Sequence, residues 1–201
     1  MSLLKELGLE EYVFQIMALT VLAIFYGAYL VKMAAQAMRG IRTNQVANRR
    51  GETHAVEMVM SIATVAVIIV QLASIALDWN WNAESFRVAG FVIGLVGCGF
   101  FIAAELGLGD SWRAGVPKED DTQFVEDGIY GWSRNPAFLG FDLQYIGVCL
   151  MFLNALTIAF SVFAIVMLHL QILHEENYLS QRFGRAYLDY QGRVMRYFGR
   201  R

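Results

Sequence analysis

The chain has 201 residues, of which 57% are hydrophobic and 17% are charged, with a formal net charge of -2 at pH 7. An average soluble domain carries about 25% charged residues, so this composition indicates a protein embedded in a membrane. Without a net positive charge, nothing in the composition favours a nucleic-acid partner. The cysteines Cys98 and Cys149 both lie within apolar runs, which argues against a disulfide framework or a zinc site.

Long apolar segments predict an all-α membrane protein with about five transmembrane helices, since one helix needs about 20 mainly apolar residues to cross a bilayer core. The first three predicted spans are 13–31, 58–77 and 88–104. The last apolar run, 137–173, has Asp142 as its only acid and is too long for one span. It predicts a helical hairpin folded at Leu153-Asn154-Ala155, because Asn favours turns. In the third span, Gly90 and Gly94 are spaced for close helix packing.

Basic residues predict the orientation, because Lys and Arg concentrate in the short cytoplasmic loops of membrane proteins. They follow the first, third and fifth predicted spans, whereas the loop after the second contains Asp78, Glu84 and two tryptophans. With five spans every basic block falls on one side, so we expect the N-terminus outside and the C-terminus in the cytosol. The charges before the first span, Lys5 against three glutamates, are wrong for a signal peptide, so this span is expected to be retained.

Two polar segments are expected to carry the chemistry: 106–136, which enters the hairpin, and the segment from His174 onwards, which leaves it. A tight hairpin returns the chain to the side from which it came, so the two segments should be neighbours. We therefore divide the chain into a region of three transmembrane helices, 1–105, and a catalytic region, 106–201, with the cytosolic loop, the hairpin and the C-terminal tail.

The first polar segment has Gly128 and Gly131 around Tyr130, where a ligand can approach the backbone closely. Arg134-Asn135-Pro136 then starts a helix, with Pro136 suited to its first turn. A guanidinium beside the exposed N–H groups of a helix start favours an anionic or carboxylate group. The alternative is a basic membrane anchor followed by an ordinary helix start.

The second polar segment places Glu175 and Glu176 where the fifth span is expected to meet water. Paired carboxylates there suit ribose hydroxyls or a cationic ligand. The alternative is a solvated helix end, although two acids at a helix C-terminus oppose the macrodipole and need compensation. His169 and His174 are five residues apart and do not share one helical face, so no metal site is expected.

The runs DGIYGWSRNPAFLG and HEENYLSQRFGRAYLDY together resemble the isoprenylcysteine carboxyl methyltransferase family and its phospholipid methyltransferase relatives. The family pattern is roughly G-x-Y-x-x-x-R-[HN]-P-x-[YF]-x-G, followed by E-E-x-x-L-x-x-x-F-G-x-x-Y-x-x-Y. Both halves are met, within a stretch from Thr122 to Tyr190 that is about a third of the chain. The first two predicted spans show no such signature.

The resemblance implies a membrane methyltransferase with S-adenosyl-L-methionine as its methyl donor. By motif position, the implied cofactor-binding residues are Thr122, Gln123, Phe124, Val125, Tyr130, Asn135, Pro136, Ala137, Phe138 and Glu175. Arg134 matches the motif arginine and is expected to orient the carboxylate of the cofactor. Glu176 and His174 are the bases expected for an acceptor that must lose a proton.

Gln171 departs from the pattern, because members that act on prenylated cysteine have an arginine there, implied to hold the substrate carboxylate. Gln171 cannot supply that charge, so prenylcysteine carboxylate and lipid amine, hydroxyl or thiol all stay open. In each case we expect a lipophilic small molecule or lipidated acceptor that enters from the bilayer. Arg134, Glu176 and Gln171 are the catalytic candidates.

Two other functions are compatible with the sequence. A membrane reductase of the steroid-reductase type shares a similar helical hairpin and uses NADPH. A non-catalytic membrane module uses neither NADPH nor S-adenosyl-L-methionine. Thermal protection by one cofactor, the other or neither distinguishes the three hypotheses.

Overall fold

The computed structural model describes residues 12–40, 52–112 and 124–201, without the side chains of 52–56. The helices are α1 (Val13–Met38), α2 (Glu52–Ala76), α3 (Glu84–Leu108), α4 (Pro136–Met151), α5 (Ala155–Phe183) and α6 (Arg185–Arg193). Short 3-10 turns lie at Gly109–Ser111 and Gly128–Gly131, and an isolated bridge joins Val194 to Arg200 within the tail, residues 194–201. The predicted all-α fold is confirmed.

Within the described residues, four helices are long and apolar enough to cross a membrane: α1, α2 over Glu57–Ala76, α3 and α5. The apolar helix α4 has 16 residues, about 24 Å at 1.5 Å per residue. It still reaches from one end of the bundle to the other. Beyond its last turn the backbone oxygen of Leu153 accepts from the Trp81 N–H at 2.9 Å, in the loop between α2 and α3. The chain therefore has the architecture of an integral membrane protein, with four long spans and a fifth, shorter helix.

The connecting segments that the structure describes lie at two ends of this bundle. The α2–α3 loop and the α4–α5 turn form one end. At the other end the exposed ion pair of Arg39 with Asp110, at 2.8 Å, ties the end of α1 to the turn after α3. Arg134, α6 and the tail lie at this second end, which is the side on which the basic residues were predicted to lie. That this end faces the cytosol stays a prediction.

Helices α3 and α4 pack more closely than any other helix pair of the described bundle, because glycines lie where their backbones meet. A Cβ added to Gly90 would lie 2.5 Å from the Gly147 oxygen, and one added to Gly97 would lie 2.7 Å from the Gly140 oxygen. A Cβ on Gly147 would in turn lie 2.6 Å from the nitrogen of Gly94. The close packing predicted from Gly90 and Gly94 is confirmed.

The hairpin turns where the sequence predicted, at Asn154. Its side-chain oxygen accepts from the N–H groups of Leu156 and Thr157, and the Thr157 hydroxyl accepts from the Asn154 N–H, each at 3.0 Å. This reciprocal arrangement is a capping box, which starts α5. The Asn154 amide also donates to the Ser74 hydroxyl at 3.0 Å, which fixes the turn to the end of α2.

Helix α5 is longer than predicted. The fifth span was expected to end near Leu173, but the helix continues to Phe183 and stops at Gly184, whose φ is 56°. Glu175 and Glu176 therefore lie about two turns before the helix end. The prediction that they oppose the macrodipole at a helix C-terminus is wrong, because the polar segment that follows the span is itself helical.

Candidate active site

A cavity of about 580 Å³ lies between α1, α2, α4 and α5. This volume is in the usual range of ligand pockets, about 300–1,000 Å³. Its polar end, beside the tail end of the bundle, is lined by the segment 124–138, the last turns of α5 and two tyrosines of α6. Its apolar arm extends between α1 and α2, and is lined there by Tyr26, Tyr29, Leu30, Met60, Ser61, Thr64, Val65 and Ile68.

A buried ion pair joins the two polar segments at the wall of the cavity. Nη2 of Arg134, just before α4, lies 2.8 Å from Oε1 of Glu176 on α5, and the side chains are 6% and 5% exposed. Arg196 of the tail places its Nη2 2.9 Å from the other oxygen of Glu176. Asn135 also donates its side-chain N–H to Oε1 at 3.0 Å. Glu176 is therefore held by two guanidinium groups and an amide, which compensate the charge of its buried carboxylate.

The remaining N–H groups of Arg134 bind the chain just before and within the tail. Its Nη1 donates to the backbone oxygen of Val194 at 2.7 Å and to that of Gln191 at 3.5 Å. Its Nε and Nη2 both donate to Glu176, so the guanidinium has no nitrogen left for a ligand carboxylate. This geometry favours a positioning role for Arg134 and Glu176 over the expected roles of carboxylate ligand and base.

Glu175, the adjacent acid, has a different environment. It lines the cavity and accepts a hydrogen bond from Nε2 of Gln171, one turn earlier on α5, at 3.0 Å. Both side chains belong to the polar end, whereas Glu176 points to the tail. The two neighbouring carboxylates therefore point in different directions from α5. That of Glu175 faces the cavity, and that of Glu176 binds the arginines beside it.

Aromatic side chains cover the polar end. The ring of Phe124 lies 5.2 Å from that of Phe183 and 5.4 Å from that of Tyr190. The Tyr190 hydroxyl donates to the backbone oxygen of Tyr130 at 2.7 Å, which joins α6 to the turn before α4. Burial raises the pKa of Tyr187 to about 12, so this phenol is neutral at pH 7. The ring faces suit an adenine or a cationic sulfur.

The structure brings most of the predicted site residues together. Those that line the cavity are Phe124, Val125, Tyr130, Arg134, Asn135, Pro136, Ala137, Phe138, Gln171 and Glu175. Glu176 lies beside the cavity, and His174 is not among its lining residues. Thr122 and Gln123 lie outside the described residues. The predicted proximity of the two polar segments is confirmed by the contact of Arg134 with Glu176.

Two parts of the site were missed from the sequence. One is the tail, because the role of Arg196 as a partner of Glu176 follows no motif. The other is the apolar arm, whose residues lie in ordinary apolar helices. The approach of a ligand to the backbone at Gly128 and Gly131 stays a prediction, and at Gly131 the structure shows Arg200 of the tail, whose Nε donates to the Gly131 oxygen at 2.9 Å. A Cβ at Gly131 would lie 3.2 Å from that guanidinium.

The fold and the site define an integral membrane protein in which a helical hairpin and the tail enclose a cavity with one polar and one apolar part. Residues 91–181 match the sequence model of the isoprenylcysteine carboxyl methyltransferase (ICMT) family. The match covers less than half of the chain, and over this part it confirms the resemblance that the motifs predicted.

Individual relatives match a shorter region. The chain is 37% identical over 78 residues to protein-S-isoprenylcysteine O-methyltransferase of Saccharomyces cerevisiae. This match covers 38% of the chain and 33% of the yeast protein. It is also 35% identical over 80 residues to protein-S-isoprenylcysteine O-methyltransferase B of Arabidopsis thaliana. This match covers 39% of the chain and 41% of the plant protein. The matches thus span less than half the length of these relatives.

Proposed function

We propose that the protein transfers a methyl group from S-adenosyl-L-methionine to a lipophilic acceptor in the membrane. The observation that carries the proposal is one cavity in which residues of both motif halves meet an apolar arm between transmembrane helices. The matched relatives are named O-methyltransferases, which supports methyl transfer and gives no support to the reductase hypothesis.

The start of α4 fits the carboxylate of this donor. No side chain caps the helix, and the side-chain N–H of Asn135 is bound to Glu176. The N–H groups of Ala137 and Phe138, in the first turn, carry the positive end of the helix dipole. Such N–H groups are a common binding site for anions in proteins.

The rest of the polar end fits the other groups of the donor. Glu175 offers a carboxylate to ribose hydroxyls or to a positive charge, and the rings of Tyr130 and Phe124 offer their faces to adenine. The donor, when bound, supplies a methyl group on a positively charged sulfur, from which it can be displaced.

The protein contributes positioning and exclusion of water, which are the main requirements of such a displacement. The cluster of Arg134, Glu176 and Arg196 fixes the start of α4 against α5. The aromatic cover formed by Phe124, Phe183 and Tyr190 shields the polar end from water.

The apolar arm is proposed to take the hydrocarbon part of the acceptor. Helices α1 and α2 touch each other only sparsely, and both line the arm. A lipidated or lipid-like acceptor, such as a prenylcysteine or a lipid head group, can then reach the polar end laterally from the bilayer. We further propose that the polar end faces the cytosol, which matches the distribution of arginines.

Calorimetric titration of the detergent-purified protein with S-adenosylhomocysteine tests the proposed donor site. We expect saturable binding that Glu175→Ala abolishes. Glu84→Ala is the matched control, because Glu84 is exposed in the first turn of α3, at the opposite end of the bundle. Binding that survives Glu175→Ala would remove Glu175 from the site. Thermal protection by NADPH alone would contradict the proposed reaction.

A further inference from the structure

The buried amide of Gln171 uses only part of its hydrogen-bonding capacity. Gln171 is 1% exposed and lines the cavity, and its Nε2 donates to Glu175 at 3.0 Å. Its Oε1 has no hydrogen-bond partner among the described residues. Leaving a buried acceptor unpaired costs about 1–3 kcal/mol.

The chemistry of the pair fixes which atom of the amide is left over. A carboxylate is a hydrogen-bond acceptor, so the N–H side of the Gln171 amide must face Glu175. The carbonyl oxygen is then the atom without a partner. An N–H, O–H or S–H donor would satisfy it, and a ligand in the adjacent cavity can bring one.

The charges of the described residues at the polar end disfavour an anion beside the Gln171 oxygen. Among the described residues that line the cavity, Arg134 is the single cationic side chain. Its guanidinium is committed to Glu176 and to the backbone of the chain near the tail. Glu175 contributes a carboxylate to the same wall, so an incoming carboxylate would meet another acid and a carbonyl oxygen.

We propose that the acceptor group bound at Gln171 is a hydrogen-bond donor, namely an amine, a hydroxyl or a thiol, and is not a carboxylate. The proposal rests on the proposed function, since it specifies the acceptor of that reaction. In the reaction the acceptor atom bonds to the methyl carbon while that carbon separates from the sulfur of the donor. The proton that the acceptor loses passes to the carboxylate of Glu175, one turn from Gln171.

Four farnesyl thioethers that differ in their polar group provide the test. N-acetyl-S-farnesylcysteine presents a carboxylate, and S-farnesylcysteamine presents an amine. S-farnesylmercaptoethanol and its dithiol counterpart present the hydroxyl and the thiol. We expect nanodisc-embedded protein to transfer label from radioactive methyl donor to a protic acceptor at least tenfold faster than to the carboxylate. We also expect the protic acceptor, and not the carboxylate, to raise the melting temperature of the protein saturated with S-adenosylhomocysteine.

A substitution links this preference to Gln171. Gln171→Met keeps a similar volume and removes the carbonyl oxygen, so the preference for the protic acceptor over the carboxylate should fall about tenfold. The ratio of the labelling rates of two acceptors is insensitive to partial loss of folded protein or of donor binding. Gln181→Met is the control, because Gln181 lies on the same helix, is exposed and contacts Asn177. It should leave the ratio unchanged.

Failure of this proposal is distinguishable from failure of the proposed function. Faster labelling of the carboxylate, or the lack of both labelling and stabilisation by every protic acceptor, overturns the acceptor assignment while binding of S-adenosylhomocysteine persists. If S-adenosylhomocysteine itself does not bind, the proposed methyl transfer is contradicted. An unchanged ratio in Gln171→Met removes Gln171 from acceptor recognition.

Discussion

The polar end and the apolar arm of the cavity are built on different principles. At the polar end the buried charges have specific partners, as Glu176 has in Arg134, Arg196 and Asn135. In the arm, residues such as Tyr29 and Val65 contribute shape and apolar surface. Removing a partner of a buried charge at the polar end should therefore disturb folding and donor binding together. A single change in the arm should disturb the acceptor alone.

The largest expected effect is that of Arg134→Ala, which leaves the buried carboxylate of Glu176 without its main partner. Removing one member of a buried ion pair costs about 3–5 kcal/mol, and the carbonyl of Val194 loses its donor as well. We expect a marked fall in the melting temperature in detergent and loss of S-adenosylhomocysteine binding. Differential scanning fluorimetry and calorimetric titration measure the two effects.

Arg193→Ala is the control for this change. Arg193 pairs with Glu126 at 2.8 Å, also between the two polar segments, but the side chains are 63% and 40% exposed. Exposed pairs contribute about 0–1 kcal/mol, so this variant should melt close to the parent protein. If the two variants lost similar stability, the buried cluster would not be what holds the polar end together.

A smaller effect is expected for Gly97→Ala, which acts on the helix pair supporting both parts of the cavity. The new methyl group would lie 2.7 Å from the Gly140 oxygen and 2.8 Å from the Gln144 nitrogen. Overpacking of this kind costs about 1–3 kcal/mol, so the melting temperature should fall. Gly99→Ala, two residues away with open space around its Cβ, should not lower it. Equal melting of both variants would contradict the backbone contact between α3 and α4.

The polar end was largely predictable from the sequence, and the reason is physical. Glycine, proline and paired acids have few favourable environments, so their spacing restricts the local structure. The start of α4 at Pro136 and the turn at Asn154 follow directly from such residues. The lining of the cavity by Glu175 and Tyr130 agrees with the motif, whereas their contact with a cofactor stays a prediction.

The tail and the arm were not predictable in the same way. Arg196 contacts Glu176 only because the chain turns back after α6, and a basic C-terminal segment is equally compatible with a membrane anchor. Thr64 and Tyr29 face the cavity because of how α1 and α2 are placed around α4 and α5. Apolar periodicity specifies that a helix spans the membrane, but a lipid, another helix and a cavity all present apolar surroundings. The division at residue 105 stays a prediction, although the arm shows that helices before it contribute to the cavity.

The smallest expected effect, and the most selective, is that of Thr64→Trp in the arm. The indole would occupy space that we assign to the hydrocarbon part of the acceptor, so the KM for a farnesyl acceptor should rise about tenfold, equivalent to about 1.4 kcal/mol. The dissociation constant of S-adenosylhomocysteine should not change, because the polar end is untouched. Ile62→Trp adds the same ring to α2 at a position that is 62% exposed and outside the cavity lining, so it controls for the insertion of an indole. If Thr64→Trp weakened S-adenosylhomocysteine binding as strongly as it raised the KM, the donor would extend into the arm, and the arm would not be reserved for the hydrocarbon part of the acceptor.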